Sequence, residues 1–169
     1  MVGQRAADPP TQVQFLPPAP GERVKILFVH ADYLKYRAKE RTRFAEDVED
    51  GRKIGAMTDP LIAFTCVEVA DERLGDIVEE AKREIQEVAE KLGSKNIALF
   101  PFAHLSRDLA PPMFAIKVLS DLENRLQGDG YSVLRAPFGW YKVFEFRTKG
   151  HPLAVLSRSI PNKAKEASG

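Results

Sequence analysis

The side chains best placed for chemistry in this 169-residue chain are one histidine at a strand end and one lysine among aromatics. His104 follows an apolar run, residues 97–102, in "NIALFPFAHLSRDLAPPM" and stands before an expected helix. A histidine mounted there can order water or transfer a proton near neutral pH. It can equally cap the helix or satisfy a core contact. Lys142 ends the string "APFGWYK", residues 136–142. Pro137 and Gly139 shape a turn, Phe138 and Trp140 supply flat faces, and Tyr141 opens a strand. Aromatics at a turn beside a lysine can stack a base and meet a phosphate or a developing oxyanion. The same residues also read as a hairpin with core aromatics and a solvated lysine. His30 in "VHADY" and His151 in "KGHPL" read as structural, and Cys66 as a small buried hydrophobe.

These residues need a scaffold, and the pattern supplies one. "VKILFVH", residues 24–30, is short, aliphatic and bounded by polar residues, which predicts a buried strand. Residues 31–36 continue it or turn into a second strand. Residues 37–53 are dense in both charge signs and read as an exposed hairpin or loop. A strand over 61–69 follows the Asp59-Pro60 punctuation. Ile77, Val78, Ala81, Ile85, Val88 and Leu92 recur at three- and four-residue steps, with Gly93 at the stop, so a helix is predicted there. Its acid-rich remainder, within 76–90, reads as a solvated face. A strand over 96–102 precedes a second helix that begins at Pro111-Pro112 and ends at "GDG", 128–130. Three further strands are predicted over 131–136, 140–148 and 152–160. In the middle one Trp140, Lys142, Phe144 and Phe146 share one face and Tyr141, Val143 and Glu145 the other. The fold class is therefore α+β or mixed α/β, with two helices packed on a β-sheet. Residues 1–22 are proline-rich and aperiodic and read as a flexible extension. Residues 23–161 form the domain, and 162–169 a frayed tail or the start of a linker.

Composition narrows the function. A net charge of +1 advertises no bulk field for nucleic acid, although a local patch can still bind it. One cysteine permits no intramolecular disulfide and no cysteine-based zinc cage, which fits a reducing cytosol. No apolar run approaches membrane-spanning length. Phosphate-loop, dinucleotide and serine-elbow motifs are absent, and the histidines lack ligand spacing, so no metal and no cofactor are expected.

Taken together and in order, "KILFVHADYLKY", "IAFTCVEV", "NIALFPFAHLS", "APFGWYKVFEF" and "GHPLAVLSRSI" resemble the N-terminal editing domain of archaeal threonyl-tRNA synthetases. The resemblance covers residues 24–161. It implies a D-aminoacyl-tRNA deacylase-like fold, a homodimer, and cytoplasmic proofreading, in which mischarged seryl-tRNA(Thr) is hydrolysed and threonyl-tRNA(Thr) is spared. A synthetase domain is implied in the same or a separate chain. Threonine differs from serine by one methyl, worth only ~1–3 kcal/mol of discrimination, so a second hydrolytic sieve is required. The matching motifs carry His104 and Lys142 to the catalytic site, with Tyr141 beside the lysine. Val67 and Ala103 become close walls around the seryl group, and Pro101 and Phe138 walls for the terminal adenosine, whose 2′-hydroxyl assists the attacking water. One position departs from the pattern: Val155 stands in "GHPLAVLSR" where the family commonly has glutamate. A valine cannot accept a proton or orient water. Lys142 is thus expected to lose its acidic neighbour, and Glu145 lies on the wrong strand face to replace it. This leaves as an alternative an impaired module kept for tRNA binding or dimerisation; a further alternative, since the implied fold is shared, is a D-aminoacyl-tRNA deacylase.

Overall fold

The computed structural model describes residues 24–68 and 74–160, with the backbone alone at 74 and 75. The expected extension 1–22, the tail 162–169 and the end of the strand predicted over 61–69 lie outside the described residues. Among the described residues seven strands and two α-helices follow in the order β1 (Val24–Arg41), β2 (Ile54–Thr58), β3 (Leu61–Val67), α1 (Leu74–Leu92), β4 (Asn96–Pro101), α2 (Pro112–Gly128), β5 (Ser132–Arg135), β6 (Trp140–Thr148) and β7 (Val155–Ile160).

β1 is the spine of the molecule. Its first half pairs with β3 on one edge and β7 on the other, and its second half with β2 and β6. The order β7-β1-β3-β4-β5 makes one sheet, and β2-β1-β6 a second that continues from it. β3, β4 and β5 run parallel, joined by α1 and α2 as crossovers. The two faces of the first sheet bury different partners. Val24, Ile26, Phe28, Leu61, Ala63, Ile97 and Leu99 pack on the helices, through Ile77, Ala81, Ile85, Val88, Val118, Leu122 and Leu126. Ile62, Phe64, Ala98 and Phe100 pack on the second sheet, through Leu34, Tyr36 and Phe146. β3 is therefore buried on both faces, as its unbroken apolar run requires.

Two corrections arise at the spine. The charged stretch from residue 37, expected as an exposed hairpin or loop, stays in strand to Arg41 and does lead into a hairpin, but its returning strand β2 was not expected. Lys35, Arg37 and Lys39 are exposed while Leu34 and Tyr36 are buried, so a charge run and a half-buried strand coincide. β2 is a five-residue edge strand with a glycine at its one buried position; Gly55 lies under the Tyr36 ring, where a Cβ would collide.

The spine changes sheets near His30. Both edges are interrupted there, by Asp59-Pro60 on one side and by residues 149–154 on the other. His30 Nδ1 lies 2.8 Å from His151 Nε2, and His151 Nδ1 accepts the Leu153 N–H at 3.2 Å. These contacts place the His151 proton on Nε2, donating to His30. Burial holds the His30 imidazole below its ordinary range, with Asp59 opposing that shift. Lys149 bridges Asp32 and Asp59 at 2.9 and 3.2 Å. Both histidines thus clasp the bend and lie outside the cavity described next.

Candidate active site

β3 and β4 end side by side, and the chain leaving β4 is tied back to β3. The Phe102 N–H donates to the Thr65 carbonyl at 2.9 Å, and the Ala110 N–H to the Val67 carbonyl at 3.0 Å. Between these ties a single 3-10 turn, Ala103–Leu105, lifts His104 into solvent at the rim, with its ring edge-on to Phe102 at 5.2 Å. The start of β6 closes the opposite wall. The result is a cavity of about 650 Å³ beyond the carboxyl ends of two parallel strands, where open α/β sheets bind ligands.

Val67, Pro101, Ala103, His104, Phe138, Tyr141 and Lys142 all line this one cavity. Residues from three separate stretches of sequence therefore meet. Tyr141 turns its side chain largely outward, at 66% exposure, so it forms part of the rim rather than the floor.

Lys142 lies on the inner face of β6. Its ammonium sits 5.2 Å over the Phe100 ring and donates to the Trp140 carbonyl at 3.0 Å. The floor around it is aromatic: Phe100 packs on Phe144 at 4.8 Å and on Phe64 at 5.3 Å. Burial against these rings pulls the Lys142 amine down to about 8, and the Glu46 carboxylate opposes the shift. Cys66 goes the other way, its thiol pushed up to about 12 by burial. It is inert as a nucleophile at neutral pH and serves as wall.

Val155 is not a neighbour of Lys142 within the chain, and the expectation that it would be is corrected. Val155 pairs with Val29 in the first half of β1, whereas Lys142 pairs with Ala38 in the second. Its side chain is 54% exposed. Glu145 lies opposite Lys35 on the outer face, away from the lysine as the alternation predicted.

One wall was not legible in the sequence. Thr42 and Phe44, from the loop after β1, also line the cavity. That loop is bound to the turn before β6: the Thr42 N–H and hydroxyl both donate to the Gly139 carbonyl, at 2.9 and 2.7 Å. Gly139 has φ 80°, and a Cβ there would stand 2.5 Å from Ala45 Cα, so only glycine lets loop and turn meet. Among the described residues no group of three or more His, Cys, Asp and Glu side chains is arranged to hold a metal ion. Nor is any described helix long and apolar enough to cross a membrane.

The family described as the archaea-specific editing domain of threonyl-tRNA synthetase matches residues 24–160. The chain belongs to that family. Threonine–tRNA ligases of known sequence align with this editing domain over most of its length. That of Methanobrevibacter smithii is 45% identical over 138 residues, covering 81% of this chain and 23% of the relative. That of Methanocaldococcus jannaschii is 47% identical over 141 residues, covering 83% and 22%. That of Thermococcus sibiricus is 43% identical over 146 residues, covering 85% and 23%. The chain thus spans less than a quarter of the length of these curated relatives. Among solved structures, the c-Myc DNA unwinding element binding protein superposes with a TM-score of 0.55 at 11% identity, over 82% of this chain and 99% of that one. That likeness bears on fold alone. The editing domain has the mixed α/β, D-aminoacyl-tRNA deacylase-like fold.

Proposed function

We propose that the editing domain is a proofreading hydrolase that releases serine from mischarged seryl-tRNA(Thr) and spares threonyl-tRNA(Thr). The observation that carries this reading is the convergence of seven residues on one apolar cavity in which Lys142 supplies a half-buried cation. Water attacks the ester carbonyl carbon, the carbonyl oxygen takes the negative charge, and the carbon–oxygen bond to the ribose breaks. The ribose oxygen leaves with a proton, and serine leaves as its carboxylate. Lys142 is placed to meet the developing oxyanion in a low-dielectric site, where such a charge is worth most. His104, at the rim, orders water or the terminal adenosine. The terminal 2′-hydroxyl of the tRNA assists the attack, so the substrate supplies part of its own catalysis. Val67 and Ala103 are close walls for the amino acid side chain, and Pro101, Phe138 and Tyr141 border the adenosine.

The reading of an impaired tRNA-binding module rested on Val155 beside Lys142. Within one chain the valine removes nothing from this cavity, which favours the enzyme. A homodimer is supported by the outer edges of β6 and β7, which carry no strand partner among the described residues; Val143 and Val155 on these strands are exposed, as is Leu153 in the connection between them.

Matched deacylation assays test the function. Serine release from seryl-tRNA(Thr) is expected to exceed threonine release from threonyl-tRNA(Thr) by about 10- to 200-fold, the range one methyl group can support. Equal rates, or release of neither, would refute the proposal, and preferential release of a D-amino acid would replace it with the D-aminoacyl reading.

A further inference from the structure

Glu46 does not itself line the cavity, yet it is hydrogen-bonded to two residues that do, Phe138 and Trp140. Its carboxylate oxygen Oε1 accepts the Phe138 N–H at 2.9 Å and the Arg135 guanidinium at 2.8 Å. Its backbone carbonyl accepts Trp140 Nε1–H at 2.9 Å, and its own N–H donates to the Phe138 carbonyl at 3.0 Å. Three of these hydrogen bonds fasten the loop carrying Thr42 and Phe44 to the turn that launches Tyr141 and Lys142, and the fourth ties that loop to Arg135 at the end of β5. Arg135 is anchored in turn to Glu123 of α2 at 3.1 Å, so the clamp is referred to the helix layer. The cavity residue Trp140 is packed from above by Arg41 and Lys53, each 5.4 Å from its ring.

We propose that Glu46 is the positioning residue of this site: it closes the Phe44 wall over the cavity and fixes the ammonium of Lys142 against Phe100. The inference rests on the proposed function for its consequence in catalysis, and on geometry alone for the clamp. The carboxylate also acts on Lys142 through space. Other charges about the clamp are Arg135, Glu123 and Arg52, and the other titratable groups lining the cavity are His104, Cys66 and Tyr141. Among these Glu46 is the acid that favours the lysine cation.

Two readouts decide the matter without activity. Trp140 is the only tryptophan in the chain, so its emission reports the clamp directly. The pH midpoint at which an amine-reactive acyl reagent labels Lys142, followed by mass spectrometry, reports the charge. In Glu46→Gln the midpoint is expected to fall by about half a pH unit or more, since an attractive charge is lost. Trp140 emission shifts to longer wavelength, and serine release falls roughly 10- to 100-fold through misplacement. Glu46→Asp, which keeps the charge on a shorter arm, recovers the midpoint but not the emission. Gly139→Ala separates loop from turn with the carboxylate intact and is expected to shift both signals. Glu49→Gln, three residues away and exposed, shifts neither. A Glu46→Gln protein with wild-type midpoint and emission overturns the proposal, as does a folded Gly139→Ala protein with both signals unmoved. If the wild-type domain releases no serine, the proposed function fails while these two signals still decide the clamp.

Discussion

Replacing Lys142 by methionine is expected to remove serine release while leaving the editing domain folded and more stable at neutral pH. The two effects have one cause. The side chain holds a charge against Phe100 and Phe144, and the same desolvation that lowers its pKa to about 8 strengthens its pull on a developing oxyanion. Loss of one such preorganised charge typically costs about 10²- to 10³-fold in rate. Stability moves the other way. The folded pKa lies below the ordinary lysine value of 10.5, so the unfolded chain binds more protons between about pH 8 and 10.5. Stability contributed by this group therefore rises with pH across that window and is absent below it. Methionine removes the penalty at pH 7, worth roughly 1–3 kcal/mol. Thermal unfolding beside a deacylation assay measures both. The wild-type rate is also expected to fall as pH rises through about 8, because the cation is then lost. A rate that climbs through the same range would assign the neutral amine as a base instead. A methionine variant that keeps its rate would take Lys142 out of the chemistry.

Arg135→Met is expected to be the most destabilising single change around the site. The guanidinium is 5% exposed and lies between Glu46 at 2.8 Å and Glu123 at 3.1 Å. Removing it leaves two largely buried carboxylates facing each other, and an uncompensated buried charge costs about 3–5 kcal/mol. For a domain of this size that corresponds to a fall in melting temperature of roughly 10–15 °C. The exposed pair Arg41–Asp47 gives the contrast: its separation is as short, 2.7 Å, but solvent screening reduces its worth to about 0–1 kcal/mol. Adding Glu46→Gln and Glu123→Gln to the arginine variant should recover part of the loss, since the charges left behind are what destabilise it. A drop below about 1 kcal/mol for Arg135→Met would mean that water reaches the pair.

Much of the scaffold was legible because its signals are local. The helix at 74–92 announces itself by apolar spacing and Gly93, and β3 by an apolar run too short for a helix and too continuous for a surface. The second half of β1 was not, because Lys35, Arg37 and Lys39 alternate with only two strongly apolar residues, and the aromatic layer that buries those two comes from β3, β4 and β6. The cavity divides in the same way. His104 and Lys142 stand in strings with recognisable chemistry. Thr42 and Phe44 stand in a charged stretch whose place depends on hydrogen bonds to Gly139 and Phe138, nearly a hundred residues on. Val155 shows the converse error. A string can carry the signature of a site without its residues sharing one cavity, and pairing along β1 puts this valine at the far half.

The spine has a kinetic consequence. Val24, the first described residue, pairs with Ile160, the last, and β1 takes partners from β2, β3, β6 and β7. Contacts so distant in sequence must bear the entropy of closing long loops before they stabilise anything, which makes for slow, late assembly. During synthesis β1 and β3 can meet early, but the other edge of β1 stays open until β6 and β7 have left the ribosome. A nascent chain halted before residue 155 thus displays Val24–Val29 as an unpaired hydrogen-bonding ladder, the kind of surface on which incomplete chains aggregate and which chaperones cover.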